Sequence, residues 1–202
     1  MTTKLPQIIL LSGLKRSGKD TVANYIQKTI NYKHIKISSK MKECIKLLFN
    51  LNDDDLEDKK EIINDTWSIS TRKIMQFVGT DIFQFKIQEL LPDIGRSFWI
   101  KSLINDEYNN ITNLYNYNIV ISDLRFLHEM NEIKKLNIPF IHIRIINPSL
   151  CYEVDTHISE NEFYQIPYDY EIINDSSLEK LYSNINNLIK NNLIKNNLIK
   201  NI

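Results

Sequence analysis

Three consecutive residues able to do chemistry, Lys19, Asp20 and Thr21, close a stretch that reads IILLSGLKRSGKDT, Ile8 to Thr21. Gly13 and Gly18 precede them at the spacing G-x-x-x-x-G-K, which belongs to loops that wrap phosphate groups. Glycine lets backbone amides turn inward and approach an anion closely, and the lysine reaches the β- and γ-phosphates. The next position usually carries Ser or Thr, whose hydroxyl binds magnesium. Here it carries Asp20, with Thr21 following and still available for a phosphate or metal contact. A carboxylate among phosphates requires a cation. Magnesium is one, since a carboxylate is a hard oxygen ligand. An arginine holding a second, acceptor phosphate is the other. Transfer of a phosphoryl group gathers several negative charges that cations must offset. The chain offers Lys15 and Arg16 inside the loop, then Arg72, Arg96, Lys101 and Arg125.

Such a loop works only between a buried strand and a helix whose N-terminus faces the anion. Ile8–Leu11 reads as that strand and Thr21–Ile30 as that helix. Further strands are predicted at His34–Ile37, Asn118–Ser122, Phe140–Ile145 and Tyr170–Ile173. Most are unbroken aliphatic runs, as expected of strands covered on both faces. Helical periodicity lies between them at Phe126–Leu136 and from Leu178 onward, so the order is βαβ and the sheet is expected to be parallel. The stretch 38–117 is an insertion between the second and third strands, with helices predicted near Lys40–Phe49, Ser70–Phe85 and Ser97–Tyr108. Asp53–Asp58 reads as a solvated acidic loop or helix start. A second insertion, Asn147–Asp169, holds no Lys or Arg. The end of the chain, 186–202, repeats NNLIK three times. That five-residue period matches no helical stripe, so a terminal helix with a fraying end is expected. All of this is one domain, 1–202.

Other residues admit two readings each. Asp123 ends the run NIVISD at a strand tip, where a carboxylate orders magnesium or its waters; it could instead cap the following helix. Arg125 lies two positions on, near enough to contact phosphate, and Glu129 is one helical turn beyond and placed to pair with it. Ser70 reads as an N-cap, which puts Arg72 in the first turn, with Met75, Phe77 and Val78 facing inward. Gly79 and Thr80 interrupt that helix; a glycine there costs about 1 kcal/mol, so a close approach of backbone or ligand is expected. Trp99, near Lys101, either stacks on a base or anchors its helix in the core.

Composition narrows the field. Lys plus Arg and Asp plus Glu are 25 each, giving zero formal charge, which argues against a dedicated nucleic-acid binder. Cys44 and Cys151 form no CxxC pair and read as reduced thiols. No apolar run is long enough to span a membrane, and no signal-peptide pattern opens the chain. A cytoplasmic location is expected, which would be host cytoplasm if the chain is viral.

LSGLKRSGKDT resembles the loop of the deoxynucleoside monophosphate kinases of T-even phages and large DNA viruses. The resemblance runs on in family order through WSISTRKIMQFVGTD, FWIKSL, SDLRFLHEMNEI, DTHISE and INDSSLEKL. It implies a P-loop NTPase fold of the nucleoside monophosphate kinase-like type, α/β, with a five-stranded mostly parallel sheet flanked by helices and a helical acceptor-binding insertion. It also implies transfer of the ATP γ-phosphate to a deoxynucleoside monophosphate (dNMP), with Mg2+ as cofactor. On the same basis ATP is assigned to Gly13, Arg16, Ser17, Gly18, Lys19 and Thr21, and catalysis to Lys19, Arg16, Asp20 and Arg125. The metal goes to Asp20, Thr21 and Asp123. The acceptor goes to Lys15, Asp20, Arg72, Gly79, Thr80, Trp99, Lys101, Asp123, Arg125 and Glu129, with His157 and Glu160 of DTHISE at the nucleotide site. ATP and dNMP are then the only partners, with no nucleic acid and no membrane, and a homodimer stays open. The rivals are a phosphomevalonate-like kinase and a nucleotide-binding module without turnover.

Overall fold

A computed structural model of the chain describes residues 5–109, 118–150 and 162–198. It contains two compact units, Met1–Lys36 with Asn113–Ile202, and Ile37–Thr112.

The first unit is built on a five-stranded sheet. Its strands are β1 (Ile8–Ser12), β2 (Lys33–Ile35), β5 (Ile119–Ile121), β6 (Phe140–Ile146) and β7 (Tyr170–Ile173). The order is β2-β5-β1-β6-β7, and every pairing is parallel. Ile8 is in register with Ile119 on one side and Phe140 on the other, which makes β1 the central strand. All five of its residues are buried, as the aliphatic run requires of a strand covered on both faces. One face carries α1 (Lys19–Ile30) and the C-terminal helix Leu178–Leu198. Val22, Ala23 and Ile26 of α1 meet Leu181, Ile185 and Ile189 over Ile9, Leu11, Ile143 and Ile145. Tyr25 and Tyr182 stack with ring centroids 4.0 Å apart, and Asn186 donates to the Tyr25 hydroxyl at 2.7 Å. Helix α6 (Leu127–Lys134) follows β5.

The edge strand β2 is shorter than the predicted His34–Ile37. It pairs only with β5, which is itself three residues long, so the ladder ends at Ile35 opposite Ile121. Lys36 therefore lies beyond the sheet, at the end where a parallel sheet opens its ligand crevice.

The second unit holds α2 (Ser39–Phe49), α3 (Asp53–Leu56), a two-stranded antiparallel ribbon of β3 (Ile63–Asn64) and β4 (Ile69–Ser70), α4 (Thr71–Gln76) and α5 (Phe98–Asn109). The acidic run is a helix start, capped by Asn52, whose side chain accepts from the Asp55 amide. The helix predicted over Ser70–Phe85 is α-helical only to Gln76 and continues as a π-helix over Phe77–Phe85. Widening the turn there rotates the buried face. Phe77, expected inside, is 57% exposed, while Ile74, Val78, Gly79 and Thr80 are buried.

Candidate active site

The loop leaves β1 at Ser12 and reaches α1 through three left-handed backbone positions: Gly13 (φ 145°), Arg16 (φ 63°) and Gly18 (φ 102°). For Arg16, the only non-glycine among them, that conformation costs on the order of 1–2 kcal/mol. A Cβ on Gly13 would run into the carbonyl oxygen of Ile145 in β6. One on Gly18 would lie 2.6 Å from Asn174 Nδ2, just past β7. Asn174 pins the loop from that side: Nδ2 donates to the Ser17 carbonyl at 2.9 Å, and its own amide donates to Ile146 O at 2.6 Å. Lys19 Nζ lies across the loop, donating to the carbonyls of Gly13 at 2.8 Å and Leu14 at 2.6 Å. Ser17 is buried, and its hydroxyl has no hydrogen-bond partner among the described residues. A buried unpaired hydroxyl is costly unless a ligand completes it.

Asp20 occupies the first turn of α1, where a negative charge is favoured by the helix dipole. Its Oδ1 accepts from the Ser122 hydroxyl at 2.6 Å and lies 3.1 Å from Lys36 Nζ and 3.9 Å from His34 Nε2. His34 Nε2 is 2.8 Å from Ser122 Oγ, and Nδ1 faces the Asn24 carboxamide at 3.0 Å. Because Ser122 spends its single proton on Asp20, the Nε2 proton of His34 must point at Ser122. Burial works against the Asp20 charge, but Ser122, Lys36 and His34 outweigh it and hold the carboxyl below the usual aspartate range. Burial also pushes His34 down, with Lys36 acting the same way against Asp20 and Asp123. The side-chain cation paired with Asp20 is Lys36, which is not among those named from the sequence.

Asp123 lies two residues beyond β5, within electrostatic reach of His34 and Glu129. It is not the cap of α6. That work falls to Glu129, whose Oε2 accepts from the amides of Arg125 at 2.9 Å and Phe126 at 3.1 Å. Glu129, which the resemblance assigns to the acceptor, has its carboxyl buried and turned onto the backbone, where it holds the turn carrying Arg125. Burial pushes its pKa up to about 8, and the charge of Asp123 acts in the same direction against the two amides.

Arg144, whose guanidinium has the right chemistry for a phosphate, is committed to backbone carbonyls. It is buried in β6, and its Nη2 donates to the carbonyls of Phe163, Tyr164 and Ile166 at 3.2, 3.2 and 2.7 Å. Its guanidinium also lies 4.2 Å over the Tyr168 ring. Next to it, His142 bridges the Ser12 hydroxyl and the Pro167 carbonyl, each at 2.7 Å. Arg16 is exposed, and Lys15 and Thr21 are half-buried. His157 and Glu160 lie outside the described residues.

In the second unit Ser70 caps α4, accepting from the Lys73 amide at 3.4 Å. Arg72 sits in the first turn, with Nη1 3.6 Å from Glu61 Oε1. Gly79 faces Met41 so closely that a Cβ would stand 2.5 Å from its sulfur. Trp99, 7% exposed, donates its indole N–H to the Gly79 carbonyl at 2.9 Å and packs on Phe83 and Phe98. These contacts are those of the anchor, one of its two readings. Arg96 directs two N–H groups at the Gln84 side-chain oxygen, at 3.2 and 3.1 Å. Lys101 is half-buried in the first turn of α5.

No motif in the sequence singles out His34, Lys36, Ser122 or Asn174 as site residues. Lys36, Ser122 and Asn174 stand just past the C-terminal ends of parallel strands and His34 lies within β2, a placement that marks them only once the strands are known.

A strand, a glycine loop and a helix start that converge on one lysine and on a buried hydroxyl unpaired among the described residues define a P-loop nucleotide-binding protein. Comparison with known proteins narrows this class. The family profile described as deoxynucleotide monophosphate kinase matches residues 7–64 and 46–185. A protein of Acanthamoeba polyphaga mimivirus with the same designation is 30% identical over 196 residues, covering 91% of this chain and 96% of its own. The deoxynucleotide monophosphate kinases of Enterobacteria phage T4 and Escherichia phage RB69 are 34% and 33% identical over 128 residues. That match covers 63% of this chain and about half of each phage protein, 48% and 47%. Among solved structures, dephospho-CoA kinase from Campylobacter jejuni superposes with a TM-score of 0.47 at 13% identity, over 92% of this chain and 96% of that one. Shikimate kinase from Aquifex aeolicus does so with a TM-score of 0.46 at 16% identity, over 93% and 98%. This chain belongs to the deoxynucleotide monophosphate kinase family.

Proposed function

We propose that the chain transfers the γ-phosphate of ATP to a deoxynucleoside monophosphate, releasing ADP and the deoxynucleoside diphosphate. The observation that carries this reading is the loop itself, with Lys19 across it and Ser17 Oγ buried without a partner among the described residues, in a chain of this family. An oxygen of the acceptor phosphate attacks the γ-phosphorus in line, and the bond to the oxygen bridging the β- and γ-phosphates breaks. The acceptor is already anionic at neutral pH, so no general base is required; positioning and charge supply the catalysis. Lys19 exchanges its two carbonyl acceptors for the β- and γ-phosphates, and the loop amides and Ser17 hold the same groups. Arg16 and Arg125 are assigned to the transferring charge, and Lys15, Arg72, Gly79, Thr80 and Lys101 to the acceptor.

Magnesium fits the donor set, because Asp123 and Thr21 offer the hard oxygens that a small cation arriving on ATP accepts. When bound it neutralises the β- and γ-phosphates. Asp123 and Thr21 are assigned to it in preference to Asp20, whose Oδ1 is already engaged by Ser122 and by the Lys36 ammonium. A second cation beside that ammonium would be repelled.

The test is turnover with ATP and magnesium on a panel of deoxy- and ribonucleoside monophosphates, with phosphomevalonate as the rival acceptor. The expected result is diphosphate formation from deoxynucleotides. ATP binding without turnover on any acceptor would instead support a non-catalytic nucleotide module.

A further inference from the structure

We infer that Lys36 binds the phosphate of the acceptor, and that Asp20 is the carboxylate that holds its ammonium in place. This rests on the reading of the chain as a deoxynucleotide kinase and adds to it a residue and a reason for the aspartate in the loop.

Four observations carry it. Lys36 stands one residue past the end of β2, at the crevice end of the sheet. The neighbouring strand β5 ends there in Ser122 and Asp123, and β1, next in order, ends in the loop. Asp20 is a fixed post. It is rooted in the first turn of α1 and hydrogen-bonded to Ser122, which is in turn held by His34. The lysine is the mobile member of the pair, with four methylenes and a compact charge that reorients without changing its base. Both members remain open to solvent, Asp20 at 59% and Lys36 at 28% side-chain exposure. An exposed pair of this kind adds at most about 1 kcal/mol to stability, so the fold alone does not call for it. Finally, two other places that could supply a further cation do not. The segment 147–169 contains no Lys or Arg, and Arg144 is committed to three carbonyls. A phosphate dianion reaching the end of β2 competes with Asp20 for the ammonium and takes at least one of its three donors.

Five preparations test this: wild type, Lys36→Met, Lys36→Arg, Asp20→Asn and the double variant of Lys36→Met with Asp20→Asn, each also followed by thermal melting. Acceptor binding is measured by calorimetry with the deoxynucleoside monophosphate alone, and donor binding with a non-hydrolysable ATP analogue and magnesium. Loss of one charge-assisted contact predicts about a tenfold or larger fall in kcat/KM for the acceptor in Lys36→Met. Acceptor Kd should weaken alongside, with the ATP-analogue Kd and melting temperature unchanged and most of the loss recovered in Lys36→Arg. Asp20→Asn should weaken the acceptor by less, and combining it with Lys36→Met should add little further. Unchanged acceptor binding in Lys36→Met overturns the proposal, as does an equal loss for the ATP analogue, which would place the lysine on the donor. A fall in melting temperature without an acceptor effect overturns it too, by making the pair structural. Wild type that turns over no deoxynucleotide overturns the functional reading itself, and this proposal with it.

Discussion

The two flanks of the phosphate loop are built from different materials. Toward β6 and β7 the loop is held by backbone and buried groups. Gly13 lies against the Ile145 carbonyl, Gly18 against the Asn174 carboxamide, Arg144 is closed by carbonyls and His142 by Ser12 and Pro167. Toward β2 and β5 it is held by polar and charged side chains: Asp20 and Lys36, with Ser122 and His34 linked to them and Asp123 beyond. The first flank is mostly backbone and buried or half-buried neutral groups, which on the proposed reading suits a ligand that is always the same, the ATP phosphates. The second is half-exposed and ionic, so its groups can exchange partners as a reactant arrives. Backbone cradles and exchangeable charges suit the two halves of a phosphoryl transfer, one fixed and one changing.

The sharpest way to break this division is at the residue that belongs to neither flank. Lys19 bonds to loop carbonyls and, on the proposed reading, exchanges them for ATP. Lys19→Ala should lower kcat by about a hundred- to a thousandfold, the scale of removing a transition-state donor. Its melting temperature should stay near that of wild type. Near-normal turnover would remove the loop from the chemistry altogether.

Gly13→Ala probes the first flank. The new methyl meets the Ile145 carbonyl in a backbone region that L-residues avoid, so the loop must shift. The chain should lose more than about 1 kcal/mol in chemical denaturation, the scale of alanine placed at a positive φ, and bind ATP more weakly. Asn174→Ala should have the same sign with a smaller effect, about 1 kcal/mol for one hydrogen bond. If either weakened the acceptor and spared ATP, the flanks would have been assigned the wrong way round.

The parts legible from sequence are those that repeat a local pattern. Aliphatic runs locate β1, β5 and β6, because parallel strands buried on both faces need no alternation; the edge strands β2 and β7 are half-exposed and carry polar residues among their aliphatics. The glycine spacing locates the loop. What is not legible depends on which strand ends meet. Asp20 and Ser122 are brought together by β1 pairing with β5, and Lys36 by β2 pairing with β5, and no local period encodes that order. Hence Asp20 points, by its neighbours in sequence, to magnesium or Arg72, and nothing local marks its lysine. Burial misleads in the same way. Trp99 and Arg144 have the right chemistry for a base and a phosphate, and only the packed structure turns one onto Gly79 and the other onto the carbonyls of 163–166. The π-helix escapes because its sequence carries an α-helical pattern with one glycine in it.

The smallest expected effect concerns Glu129, a buried acid on the otherwise exposed, ionic flank. Its folded pKa of about 8 lies above the ordinary value of 4.5, because burial disfavours the charge and Asp123 repels it. Between those values the folded chain holds a proton that the unfolded chain has released, so the unfolded state is favoured as pH rises. The stability tied to this proton is complete below about pH 4.5 and is lost as pH climbs through about 8. Glu129→Gln removes the titration and keeps an oxygen able to accept from the amides of Arg125 and Phe126. Denaturation measured from about pH 5 to about pH 9 should show wild type losing stability relative to Glu129→Gln across that window, by on the order of 1 kcal/mol or more. Parallel curves would mean that Glu129 is ionised in the folded chain, with its two amides outweighing burial. In that case the turn bearing Arg125 would be held by charge like the rest of its flank, and the contrast between the two sides of the loop would be complete.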